Sequence, residues 1–172
     1  MDLNLKNKIA LITGASKGIG AAIAKTFAAE GVNLYLTARN IKQLETLKIE
    51  LQKKYSVEVK TIPLDLTEAD SQKILFENCK DINILINNAQ EVPLGNILDV
   101  TDESFINGWD SGPLATFRYM KACYPHLKGS GKIINLASSS ALRPDSNSYG
   151  AYAAVKESIR SLSRAAAVEW GP

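Results

Sequence analysis

A chain of 172 residues can build one domain with a substantial core, but it is too short for a cofactor domain followed by a separate substrate domain. Its composition, 45% hydrophobic and 22% charged with a formal net charge of +2, gives no sign of a nucleic-acid or membrane surface. Cys79 and Cys123 lack the spacing of a metal cage or a disulfide framework, and the residues from Met1 to Asn7 lack the apolar run of a signal peptide. Buried reduced thiols, no metal site, no membrane span and a cytoplasmic location are therefore expected.

Apolar runs rich in β-branched residues alternate with longer segments of helical period, the pattern of repeated βαβ units around a parallel sheet. Ile9 to Thr13 predicts a first strand, followed by a glycine turn and a helix over Ile19 to Glu30 with an apolar stripe of Ile19, Ile23 and Phe27, ended by Gly31. Asn33 to Ala38 predicts a second strand. Ile41 to Tyr55 predicts a helix with Ile41, Leu44, Leu47 and Leu51 on one face and an exposed Glu50/Lys54 pair. Val57 to Pro63 predicts a third strand, and Thr67 with Asp70 resembles a capping box opening a short helix to Cys79. Ile82 to Asn87 predicts a fourth strand and Asn88 to Asp102 a loop. A helix is expected over much of Pro113 to Leu127, a fifth strand over Lys132 to Leu136, a loop over Ser138 to Ser148, and a last helix over Tyr149 to Glu169. The expected fold class is α/β, a Rossmann-like doubly wound parallel sheet in a single domain. Its ligand crevice should lie at the carboxyl ends of the strands.

Three groups of residues carry chemistry. Gly14, Gly18 and Gly20 fall between the first strand and the first helix, where missing Cβ atoms let the backbone approach a pyrophosphate and free amides face its charge. A tight turn without a ligand is the bland alternative. At the end of the second strand an acid would accept bonds from a ribose 2′-hydroxyl, but this chain has Ala38-Arg39 there. Arg39 and Lys17 can pair with a 2′-phosphate, so NADP(H) is expected over NAD(H), although either cation could be a plain surface charge. Tyr152 and Lys156, four apart on a helix, share a face, and a fixed ammonium favours the phenolate form of a neighbouring tyrosine.

The glycine turn, Asn87-Asn88-Ala89, Ser138 and the Tyr152/Lys156 pair, in this order, resemble the short-chain dehydrogenase/reductase family over almost the whole chain. The resemblance implies that Gly14, Ser16, Lys17, Gly18, Ile19 and Gly20 line the cofactor phosphates, with Arg39 beside them. Asp65-Leu66 would meet the adenine, and Asn88 and Ala89 would line the cofactor ribose. Catalysis would fall to Ser138, Tyr152 and Lys156: Tyr152 exchanges a proton with the substrate oxygen, Lys156 binds the nicotinamide ribose hydroxyls, and Ser138, or Ser139 in its place, holds the carbonyl. The implied reaction passes a hydride between NADP(H) and a small carbonyl or alcohol substrate, in a homodimer or homotetramer.

The chain departs from the family at three points. Gln90 stands where members carry glycine after Asn-Asn-Ala, Gly112 stands where many carry a relay asparagine, and the sequence stops at Pro172, before the family's last strands. The departures motivate a second reading, a noncatalytic or impaired dinucleotide-binding protein. A third reading, an interaction module, draws on apolar helix stripes that include Phe117 and Met120.

Overall fold

The computed structural model describes residues 3–127, 130–143 and 149–171. Its strands are β1 (Ile9–Thr13), β2 (Asn33–Ala38), β3 (Val59–Pro63), β4 (Ile84–Asn87) and β5 (Lys132–Asn135), arranged in one five-stranded sheet of order β3-β2-β1-β4-β5. β1 runs parallel to β2 with Ile9 opposite Asn33 and Thr13 opposite Thr37, and parallel to β4 with Ala10 opposite Ile84. β2 in turn runs parallel to β3. The expected Rossmann-like parallel sheet is present. Strands β1, β2 and β4 are buried almost throughout, which is why they read as unbroken apolar runs rather than as alternating ones.

The chain forms two compact units: Met1–Ala89 with Tyr119–Ile134, and Gln90–Arg118 with Asn135–Pro172. The first unit holds most of the sheet with α1 (Gly18–Ala29), α2 (Ile41–Lys54) and α3 (Ser71–Asn78). Helix α1 buries Gly20, Ala24 and Ala28 and leaves Ile19 64% exposed, so its inward face is the small-residue stripe and not the expected Ile19, Ile23 and Phe27. Small side chains let a helix axis approach a sheet closely, and that approach outweighs the bulk of the larger residues. In α2, Leu44, Leu47 and Leu51 are buried as expected, but Glu50 pairs with Lys25 of α1 at 2.8 Å instead of with Lys54. Thr67 does not open the helix as expected, since the N-cap of α3 is Asp70. The Thr67 amide and hydroxyl both donate to the Asp65 carboxylate, at 3.0 and 2.7 Å, and α3 starts later, after Asp70. Cys79 and Cys123 are buried free thiols, each pushed up to about 12 by burial.

In the second unit α4 (Asp102–Trp109) follows Thr101, whose hydroxyl accepts from the Ser104 amide. A π-helical turn over Asp110–Leu114 carries the chain into α5 (Ala115–Leu127), and a 3-10 turn over Ser139–Ala141 precedes α6 (Gly150–Trp170). α4 lies in a stretch with no expected helix, although a threonine cap followed by Asp102 and Glu103 is a start signal. Much of the expected serine-rich loop, residues 144–148, lies outside the described residues.

Candidate functional site: a nucleotide turn and a Tyr/Lys helix

At the carboxyl end of β1 the chain turns through Gly14, with φ +65°, and Gly18, with φ +56°. A Cβ on Gly14 would sit 2.8 Å from the Ala89 Cα, and one on Gly20 would sit 2.7 Å from the Asn88 Nδ2. Both glycines are needed for close approach. Gly18 differs, since nothing lies within 4 Å of its would-be Cβ; only its left-handed backbone requires glycine, and it faces open space. The first turn of α1 contains no acidic residue, and no side chain caps it. Its amides are thus free for an anion, and the helix dipole favours one there.

Thr13 organises this edge. Its hydroxyl accepts from the amides of Asn88 (3.0 Å) and Ala89 (3.1 Å) and donates to the Ile86 carbonyl (3.3 Å), filling its capacity as donor and acceptor. The Asn88 side-chain amide donates to the carbonyls of Thr13 (2.9 Å) and Gly14 (3.2 Å), tying the end of β4 to the glycine turn. Thr13 was not anticipated as a site residue. The available signal is a buried hydroxyl ending an apolar strand just before the turn.

Beyond β2, the exposed Arg39 guanidinium lies 3.9 Å from the Asp65 carboxylate. Burial raises the Asp65 pKa, but the Thr67 amide and hydroxyl and the Arg39 charge outweigh it, so the carboxyl lies below its ordinary value. Ser16 is half-buried, Lys17 is exposed and Leu66 is buried. The described structure thus groups Gly14, Ser16, Lys17, Gly18, Ile19, Gly20, Asn88 and Ala89 in the first unit, and Arg39 and Asp65 make a pair in that same unit.

The second unit carries Ser138, Tyr152 and Lys156. Lys156 is buried, its Nζ lies 5.8 Å from the centroid of the Tyr152 ring, and it donates a short hydrogen bond to the Leu136 carbonyl. Burial pushes the Lys156 pKa down to about 8. A second tie holds α6, from the Asn135 Nδ2 to the Ser163 Oγ at 2.8 Å. The Ser138 Oγ accepts from the Ser140 amide at 3.2 Å, whereas Ser139 is exposed. The two departures meet in this unit, because the Gln90 carboxamide lies against Gly112. Among the described residues no group of three or more His, Cys, Asp or Glu could hold a metal ion, and no helix is long and apolar enough to cross a membrane.

Known proteins share the family and the fold of this chain. The short chain dehydrogenase family profile matches residues 8–172. The 12alpha-hydroxysteroid dehydrogenase of Clostridium sp. (strain ATCC 29733 / VPI C48-50) is 43% identical over 177 residues, an alignment that covers 95% of this chain and 68% of that enzyme. The crystal structure of L-sorbose reductase from Gluconobacter frateurii, complexed with NADPH and L-sorbose, superposes with a TM-score of 0.92 at 30% identity. It is matched over 98% of this chain and 66% of its own. A short chain dehydrogenase/reductase from Burkholderia phymatum in complex with NAD, 22% identical with a TM-score of 0.89, shares the fold. It covers 96% of this chain and 60% of its own. The chain thus spans about two thirds of the length of these proteins, or less.

Proposed function

This chain belongs to the short-chain dehydrogenase/reductase family, and from that premise we propose that it serves hydride transfer between NADP(H) and a carbonyl or secondary alcohol, with Tyr152 as proton donor and acceptor. The observation that carries the reading is Lys156: a buried amine beside the Tyr152 ring, fixed by the Leu136 carbonyl. With a pKa of about 8 it is mostly protonated at neutral pH, so it places positive charge near the phenol and has two further N–H groups for ribose hydroxyls. Ser138, whose oxygen already accepts from Ser140, has its own proton to donate to a substrate oxygen. When bound, NADP(H) supplies or takes up the hydride. In reduction Tyr152 gives its proton to the substrate oxygen, and in oxidation it takes that proton back.

In the same reading the amides of the turn from Gly14 to Gly20, with Ser16, Lys17 and Ile19, hold the phosphates; Asn88 and Ala89 line a ribose; and Asp65 and Leu66 meet the adenine. Arg39, exposed at the end of a strand that no acid follows, supports the phosphorylated cofactor over NAD(H). The steroid-acting relative supports a secondary alcohol on an apolar skeleton. Leu94, Ile97, Leu98 and Leu142, all exposed in the unit that carries Tyr152, are suited to such a skeleton. Self-association into a dimer or tetramer belongs to the same reading. Phe117, part of the apolar stripe, is 46% exposed, whereas Met120 is buried.

The test is NADPH consumption with ketones, aldehydes, quinones and oxosteroids, beside a Tyr152→Phe control. Tyr152→Phe should lower kcat by about a hundredfold or more while leaving the Kd for NADPH unchanged. NADPH binding with no turnover on any substrate would favour the noncatalytic dinucleotide-binding protein.

A further inference from the structure

β2 and β3 run in register to their ends, with Ala38 opposite Pro63, and the Leu64 amide then donates to the Ala38 carbonyl at 3.1 Å. One residue past that bond on each side stand Arg39 and Asp65, so the sheet itself brings their charges together, with the guanidinium Nη1 3.9 Å from the Asp65 Oδ2. The turn that follows is tied at three points. The Glu68 amide donates to the Asp65 carbonyl at 3.4 Å, the Ser71 amide to the Glu68 carbonyl at 3.1 Å, and the hydroxyl of the buried Ser71 to the Leu66 carbonyl at 3.3 Å.

Within this turn the Asp65 carboxylate is drawn toward Thr67. The amide and the hydroxyl of Thr67 both donate to the same oxygen, Oδ1, at 3.0 and 2.7 Å. An arginine grips a carboxylate best through two parallel N–H···O bonds, which needs both oxygens facing the fork. With Oδ1 engaged by Thr67, Asp65 meets Arg39 through Oδ2, at a distance longer than a hydrogen bond. Such a pair, with the arginine side chain 72% exposed, is weak. A phosphate arriving at Arg39 therefore competes with a loose ion pair and not with a closed fork. All of these residues lie in one unit.

We propose that Thr67 is a positioning residue that sets cofactor choice: by holding the Asp65 Oδ1 it keeps the carboxylate from closing on Arg39 and competing there with the 2′-phosphate of NADP(H). The inference rests on the reading of Arg39 as the partner of that phosphate. Asp65 and Thr67 thus belong to the discrimination between the two nucleotides, although neither faces the phosphate itself.

The experiment titrates the full 172-residue chain and its variants with NADPH and with NADH by calorimetry. NADH carries the same adenine, so it reports any general damage to the site. Thr67→Val puts a methyl where the hydroxyl stood and should weaken NADPH binding about three- to fivefold as the released carboxylate closes on Arg39, with NADH binding changed by less than about twofold. Thr67→Ser keeps the hydroxyl and should keep the parent affinities. Asp65→Asn added to Thr67→Val removes the competing charge and should restore NADPH affinity. A Thr67→Val chain that binds NADPH as the parent does, or that loses both nucleotides alike, overturns the proposal, and so does a double variant as weak as the single. A second measurement needs no nucleotide: hydrogen exchange of the Arg39 Nε–H, followed by nuclear magnetic resonance, should slow in Thr67→Val but not in the double variant, and equal rates in all three chains would overturn the proposal as well. The reading of Arg39 fails separately, in an Arg39→Ala chain that keeps the full affinity for NADPH.

Discussion

The charge on Lys156 costs the fold stability, and the cost has a definite pH signature. Its pKa is held down to about 8 by burial, so from pH 8 up to the ordinary lysine range the unfolded chain binds a proton that the native chain does not. The contribution of this group to stability therefore rises as pH rises through that window. Below pH 8 both states are charged and the burial penalty is fully present. Lys156→Met should accordingly stabilise the cofactor-free protein at pH 7 by about 2–3 kcal/mol, an advantage that shrinks toward pH 10. Urea midpoints of both proteins at the two pH values read it; the thiols of Cys79 and Cys123 titrate alike in both and drop out of the difference. A constant gap between the proteins would contradict the assignment of the penalty to a buried ammonium. The Tyr152/Lys156 pair was legible in the sequence because helical spacing alone puts both side chains on one face. The place of Gln90 against Gly112 was not, since no local pattern announces that contact.

Elements were legible where periodicity and turn chemistry agreed. β1 and β2 fall at their expected bounds because an unbroken apolar run flanked by turn residues has one reading. The face of α1 was misread because hydrophobic pattern weights Ile19 and Phe27, whereas close packing on the sheet selects Gly20, Ala24 and Ala28. The start of α3 was misread because the helix begins only after Asp70, three residues beyond Thr67, whose amide and hydroxyl donate to Asp65. Two substitutions in the glycine turn separate steric from conformational demand. Gly20→Ala drives a methyl into the Gly14 carbonyl and the Asn88 side chain, so it should cost stability by roughly 2–4 kcal/mol and abolish nucleotide binding. Gly18→Ala meets no atom and pays only for its backbone conformation, about 1 kcal/mol, but it places a methyl where the phosphates would lie. It should therefore lose affinity out of proportion to its loss of stability. Paired thermal melts and NADPH titrations distinguish the two.

At the scale of the whole molecule, the parallel order β3-β2-β1-β4-β5 sets β5 at one edge of the sheet among the described residues, with Ile134 46% exposed. A half-exposed edge strand with an apolar side chain is a place where chains pair or aggregate. The fold class was legible because the βαβ alternation leaves a parallel sheet as its simplest solution. The π-helical turn between α4 and α5 was not, because a single turn of five residues has no sequence period of its own. Cofactor choice also belongs at this scale, since it combines a cation after β2 with free amides after β1. On the proposed reading, in which Arg39 pairs with the phosphate that only NADPH carries, Arg39→Ala should weaken NADPH binding about tenfold or more while changing NADH binding little. Calorimetric titration of the chain with NADPH, beside Gly20→Ala, tests the central claim most directly. The account predicts saturable binding to the unaltered chain that Gly20→Ala removes. A folded chain that takes up no NADPH, or a Gly20→Ala chain that binds it as well as the parent, would contradict it.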